Sequence, residues 1–334
     1  MDILGPVCTK AIARFGRTAR WGMADTEALK IAAQEIAALE PGQVRNADSA
    51  LALAVYKAQN DKRILPRLFV GKAGPRSDIP GAGYLLISSY DGYAREAALR
   101  KFGAGLTSSF YCALIEWRSN DWVPQVRKAA REAAERCFPA TDAEVLAEAL
   151  VGLIPSRKKW GRTASHQSPL FACLSREDVA AAFARKLAAA TSGPGASILS
   201  QALLFPAIDS QFELLAREAV QPHLRALAVK ALADGKVRWM TGWKSEWVDK
   251  SIARSKKVPV FEEREITVSP DREAIISRAL EDKAVAVRTA ALQALIDTMP
   301  SSALAQQAGE RFVNSGYAGI SSRADFLLRK AAAD

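Results

Sequence analysis

The chain has 334 residues, 49% hydrophobic and 25% charged, which is ordinary globular composition and enough length for one or more cores that need no covalent staples. Its cysteines, Cys8, Cys112, Cys137 and Cys173, lie far apart with no CxxC pair, which excludes a disulfide-rich secreted module and predicts buried free thiols in a reducing compartment. The net charge of +10 gathers in residues 51–100 (+4) and 151–200 (+5), patches that suit phosphates or an acidic protein surface alike.

The opening MDILGPVCTKAIARF has no basic segment leading into an apolar core, and no run approaches the ~18 apolar residues of a membrane helix. A soluble, cytoplasmic protein with no membrane partner is expected. Periodicity and capping signals predict helices over about 6–15, 26–39 and 43–59. The Gly- and Pro-rich stretch VGKAGPRSDIPGAGYLLISSY (70–90) then breaks the pattern and closes an N-terminal helical region, 1–90. Within it GKAGPRS (71–77) sets its lysine ahead of the glycine and proline, so it lacks the GxxxxGK[ST] order of a phosphate loop and reads as a surface loop.

From residue 91 onward an internal repeat emerges. Four segments align on an arginine: REAALRKF from Arg95, RKAAREAA from Arg127, RALAVKAL from Arg225 and RTAALQAL from Arg288. Each has alanine three residues on (Ala98, Ala130, Ala228, Ala291), followed at the fourth and seventh positions by Leu99 and Phe102, Arg131 and Ala134, Val229 and Leu232, Leu292 and Leu295. Those spacings share one helical face, so each segment predicts an amphipathic helix whose small residue admits a close neighbour. Asp121 stands six residues before Arg127, as Asp282 stands six before Arg288, and an aspartate there suits the capping of a first-turn N–H.

This pattern of Asp, spacer, Val-Arg, then Ala-Ala and Leu resembles the HEAT family, in particular the short HEAT-like repeats of phycobilisome lyases. The resemblance covers roughly 91–138 and 222–314 and implies an α-solenoid of stacked helical pairs. It also implies that the arginines are buried against Asp or backbone carbonyls between neighbouring repeats. The arginines fall 32, 98 and 63 residues apart, so the wider gaps hold degenerate repeats or insertions.

Partner helices are predicted at about 107–118 and 142–154, carrying Glu116 and Arg118, and Asp142, Glu144 and Glu148. In the solenoid reading these second helices line the inner face, which is then neutral to acidic and poorly suited to a nucleic-acid backbone. A connection of 155–174 follows, long for a helical array. It contains SRKKWGR, in which Arg157, Lys158, Lys159 and Arg162 are candidates to clamp phosphates or an acidic segment while Trp160 stacks, unless the stretch is a solvated linker. Helices resume at about 175–191, started by a capping-box-like Ser175 to Asp178, and at 196–205 and 209–219.

An insertion, 236–270, is expected in the last wide gap. In VRWMTGWKSEWVDK (237–250), Trp239, Trp243 and Trp247 recur every four residues beside Lys244, one stripe on a helix, and a helix is predicted over 245–255 although Gly242 weakens it. The stripe is read either as core packing or as a stacking or peptide-binding platform. KKVPVFEEREITVSP (256–270) predicts a short β-hairpin. Further helices are predicted at 271–281, 300–314 and 321–333.

Catalytic signals are sparse. The two histidines, His166 and His223, belong to no metal-ligand pattern, and no GxSxG elbow or carboxylate pair stands out. IEWRSNDWVPQVR, with Trp117, Asp121 and Trp122, loosely resembles the arrangement in alkylpurine DNA glycosylases built from HEAT-like repeats, but Asp121 already has a capping role before Pro124. The expectation is therefore an all-α solenoid, repeat array 91–334, with a hairpin insertion near 256–270, no cofactor and no metal. Its expected function is a non-catalytic scaffold for a protein or peptide partner; nucleic acid held by the basic loops is the alternative.

Overall fold

A computed structural model describes residues 3–19, 25–60, 81–157, 160, 168–252 and 254–332. The chain packs as two units, Met1–Cys173 and Leu174–Asp334, both mostly helical, the second carrying one two-stranded antiparallel sheet.

The first unit contains α1 (Pro6–Ala19), α2 (Thr26–Ala37), α3 (Val44–Asn60), α4 (Gly83–Leu86), α5 (Gly92–Arg100), α6 (Ser109–Arg118), α7 (Pro124–Cys137), α8 (Ala143–Arg157) and α9 (Pro169–Ala172). Here α5 packs on α7, and α6 packs on both α7 and α8. Because α2 and α3 also reach α6, and α4 packs on α5, the N-terminal helices belong to the same core. The division thus falls at 173/174 rather than near residue 90.

The second unit contains α10 (Glu177–Ala189), α11 (Gly195–Ala202), α12 (Phe212–Glu218), α13 (Pro222–Asp234), β1 (Lys236–Asp249), β2 (Arg254–Glu265), α14 (Arg272–Leu280), α15 (Val285–Thr298), α16 (Ala303–Phe312) and α17 (Ala318–Ala331). Alternate helices are neighbours, α13 on α15 and α15 on α17, while α14 packs on α15 and α16 on α17. The expected start of α10 is corrected: Arg176, not Ser175, is its N-cap residue, and Asp178 pairs with Arg176 and accepts from the Val179 N–H.

All four arginine-aligned segments are helical, in α5, α7, α13 and α15. Ala98, Ala130, Ala228 and Ala291 are completely buried, as are Leu99, Leu232, Leu292 and Leu295, while Arg131, the one charged residue at these positions, is exposed. A methyl group at the tight contact lets backbones approach, and the leucines behind it supply apolar burial of roughly 1.5–3 kcal/mol each.

Three of the four arginines act alike, whereas Arg288 is half-buried with its Nε unpartnered among the described residues. Nη1 of Arg95 donates to the carbonyls of Ser89 and Tyr90, Nη1 of Arg127 to those of Asp121 and Trp122, and Nη1 of Arg225 to those of Ala219 and Val220. In every case the acceptors lie six and five residues upstream. The remaining arm of Arg95 forks onto Asp121 (Nε and Nη2, both 2.9 Å), and that of Arg225 onto Asp282 (2.8 and 3.0 Å). One guanidinium thus ties the turn before its own helix to the turn before a later one.

Each aspartate accepts an N–H from within its turn, Val123 for Asp121 and Ala284 for Asp282, so neither directly caps the helical first turn as the sequence suggested. Asp121 also receives Arg118, which in turn pairs with Asp48, forming an internal two-arginine, two-carboxylate cluster.

Arg225 and Asp282 stand 57 residues apart, against 26 for Arg95 and Asp121. The excess of 31 matches the 30 residues from Lys236 to Glu265, so the β-ribbon accounts for the wider interval between clamp partners. Gly235 makes the junction possible: its φ of 68° ends α13 in the left-handed region, its N–H returning to the Ala231 carbonyl.

The predicted helix over 245–255 is corrected to strand, and the predicted hairpin over 256–270 becomes one strand of a longer ribbon starting at Lys236. Thr, Val and Trp favour a pleated surface, Gly242 disfavours helix, and Pro259 is tolerated because a two-stranded ribbon has only edge strands.

Asp121→Asn leaves two buried guanidinium groups short of a counter-charge and should lower stability by about 3 kcal/mol or more, read by urea unfolding. Asp282→Asn, at a partly exposed clamp, should cost about 1–2 kcal/mol. Burial pushes the Asp282 carboxyl up, but hydrogen bonds from Arg225 and Ala284 outweigh it and hold the group below its ordinary value. Its contribution should therefore be complete above about pH 4 and fade as pH falls through that lower folded value, a decline the Asn variant lacks.

Candidate functional site

SRKKWGR begins inside a helix, because α8 runs through Pro155 to Arg157. The Arg157 side chain is buried, its guanidinium 3.4 Å from Glu116 and stacked 4.5 Å from the Phe171 ring centre and 5.6 Å from that of Trp160. Glu116 is itself fully buried and accepts from the Ser168 hydroxyl (2.6 Å) and the Leu170 N–H (3.2 Å). Burial pushes the Arg157 guanidinium down, against the pull of Glu116. Here Arg157 is an internal counter-ion rather than a finger aimed at solvent.

Trp160 is half-buried, edge-on to Trp117 at 5.0 Å, and Trp117 donates its indole N–H to Asp48. Lys158, Lys159 and Arg162 lie outside the described residues, as do His166 and the 71–77 loop. Glu116 and Arg118, expected on an exposed inner face, are buried as well, so they give that face no charge.

The glycosylase-like trio does not converge on an open site. Asp121 is closed off by two arginines and a backbone N–H, Trp117 is turned toward Asp48, and only Trp122 is open, 69% exposed. A shallow cleft in the first unit, lined among others by Lys30, Gln34, Tyr84 and Tyr111, has its Tyr111 hydroxyl committed to the Ala33 carbonyl. Burial raises the Cys112 and Cys137 thiols and pushes Cys8 up to about 11, so these are not activated nucleophiles. Among the described residues no group of three or more His, Cys, Asp or Glu is placed to hold a metal, and His223 sits exposed in the first turn of α13.

The aromatic–basic ribbon is different. Its root is fixed by Arg264, which forks onto the buried Asp209 with two 2.7 Å bonds and also donates to the Leu203 and Phe205 carbonyls. Asp209 accepts the Thr267 N–H as well, and the Ile266 N–H bonds to Gly235 across the base. Beyond this root the strands pair in register from Lys236↔Glu265 to Asp249↔Arg254, with β1 irregular between Met240 and Gly242 and between Trp247 and Asp249.

The first irregularity decides which way the tryptophans face. Side chains alternate along a strand and directly paired residues share a face, while an extra residue in one strand shifts its alternation. Trp239, paired with Glu262, therefore joins Val237 and Arg264 on the anchored face and is half-buried. Beyond Thr241 the sense changes. Trp243 (62% exposed) and Trp247 (59%) fall on the opposite face, with Met240, Phe261, Pro259 and Lys257. The predicted three-tryptophan stripe is thus two tryptophans outward and one inward.

Lys244 lies on the same face as Trp239 and pairs with Glu246 at 2.9 Å. Phe261, inside the predicted hairpin stretch but not singled out there, is exposed and covered by the Arg238 guanidinium 4.1 Å from its ring centre. Strand alternation in VPVFEE was the signal that could have found it.

No family model, curated protein or solved structure matches the chain. Among the described residues, no helix is long and apolar enough to cross a membrane.

Iodide should quench the outward tryptophans more strongly than caesium does, because Lys256 and Lys257 draw anions to that end of the ribbon. Trp243→Phe combined with Trp247→Phe should shrink that difference to what the exposed Trp122 contributes. Equal quenching by both ions in the unaltered chain would contradict the assigned exposure.

Proposed function

We propose that this protein is a non-catalytic binding scaffold, a HEAT-like α-solenoid in the cytoplasm that presents a β-ribbon to a protein partner. The observation that carries this reading is the ribbon itself: a buried arginine–aspartate root holding an outward face of Trp243, Trp247, Phe261 and Met240. Large aromatics and methionine are enriched at protein interfaces, and a contiguous exposed apolar surface marks an interaction site.

Support for a solenoid comes from the arginine clamps and from the alternation of α13, α15 and α17, in which every second helix is a neighbour. Two further observations favour binding over chemistry. Asp121 and Glu116, carboxylates in aromatic-rich surroundings, are internally saturated, and the described histidine is a helix-start surface residue. The buried thiols suit a reducing compartment.

With the full chain as bait in extracts of its native cells, a discrete protein should be captured in stoichiometric amount and survive nuclease treatment. Loss of all capture on nuclease treatment, or recovery of nucleic acid alone, would replace the scaffold reading with the nucleic-acid one.

A further inference from the structure

The ribbon is asymmetric along its length. Its root carries Lys236, Arg238 and Arg264 against Glu262, Glu263 and Glu265, and is neutral. From Trp243 to Val258 the count is Lys244, Lys250, Arg254, Lys256 and Lys257 against Glu246 and Asp249, so a surplus of three positive charges sits at the outer end. That same end holds both outward tryptophans and the exposed Ile252 and Val248.

The two faces also differ. On the tryptophan face, Trp243 lies opposite Pro259, Ser245 opposite Lys257, and Trp247 opposite Ser255, so Lys257 is the one cation between the two indoles. Four strand residues separate the indoles by ~13 Å. Lys244 and Lys256 are on the reverse face, with Arg254 and Lys250 toward the turn. Two exposed indoles straddling Lys257 result, with further cations on the reverse face and toward the turn.

We infer that the Trp243–Trp247 face is the docking surface for an acidic protein segment bearing apolar side chains, an inference that rests on the scaffold reading above. Charge complementarity selects an acidic partner, because the cations of the outer end would repel a basic one. The paired exposed indoles select protein: aromatics are enriched in interface cores bounded by a polar rim, and tryptophans there carry most of the binding energy. A single-stranded nucleic acid would instead call for a run of cations alongside the stacking rings, where this face has Lys257 alone among two serines and a proline. Both strands are edges of a two-stranded sheet, so an extended segment can also add main-chain hydrogen bonds alongside them.

The test is selection from a random peptide display library against the full chain, in parallel with the double variant Trp243→Ala/Trp247→Ala. Peptides of net negative charge with aromatic or aliphatic residues should be enriched on the unaltered chain. A synthetic consensus peptide should lose about 30-fold in affinity on the double variant, as removal of a tryptophan hot spot does. A second variant, Lys256→Glu/Lys257→Glu, keeps both indoles and should weaken the same peptide and flatten its salt dependence, with circular dichroism melts unchanged.

Four results would overturn the inference. These are no enrichment, enrichment of neutral or basic peptides, affinity indifferent to both variants, and binding of a labelled single-stranded oligonucleotide that requires Trp243 and Trp247 while the peptide does not. Should the protein captured from cells bind the double variant undiminished, this docking surface is wrong and the scaffold reading survives.

Discussion

A buried guanidinium whose every arm is occupied is the constraint on which this fold depends. Arginine brings a charge into the interior only if its donors are met, because an unpaired buried ion is severely destabilising while a fully bonded one is tolerated. Arg95 and Arg225 satisfy that demand in the same way, with one nitrogen on two carbonyls of the preceding turn and the other two on a later aspartate. The geometry leaves little freedom. It fixes the spacing between a helix and the next turn while the alanine three residues on sets how closely the helices approach.

The clamp also explains how the ribbon is accommodated. Between Arg225 and Asp282 the chain leaves α13 at Gly235, runs out along β1, returns along β2 and re-enters α14, yet the clamp closes as it does over the shorter interval in the first unit. Arg264 and Asp209 then fix the ribbon root, so side chains beyond it extend from a determined base. An exposed two-stranded ribbon with apolar side chains is a liability that proteins usually blunt by covering it or adding edge charge. Here lysines and arginines crowd the outer end while the indoles stay open. That combination deters self-pairing and leaves one face open.

Much of the helical framework was legible because its determinants are local. Arginine, small residue and leucine at fixed offsets mark a helix and its buried face, and the exposed Arg131 is the copy where the pattern itself departs. Arg157, Glu116 and Arg118 were misjudged for the opposite reason. Their burial follows from contacts with Ser168, Phe171, Ile87 and Asp48, far away in sequence, and composition alone reads a cluster of charges as solvated. The tryptophan stripe failed on geometry, since a spacing of four lies on one side of a helix and on one side of a strand alike. Gly242, beside the irregularity at Thr241 that turns Trp239 inward, was the one local cue, but the helical reading takes it as weakening a helix rather than as marking a bulge.

A docking role for the ribbon requires it to be a formed, anchored element of the free protein. Hydrogen exchange of the backbone amides, followed by mass spectrometry, tests this directly. The cross-strand amides between Gly242 and Trp247 and between Ser255 and Val260 should be clearly protected, and Asp209→Ala, which removes the root, should release that protection while α15 and α17 keep theirs. Exchange of the whole 236–265 stretch at unfolded-chain rates in the unaltered protein would contradict the account.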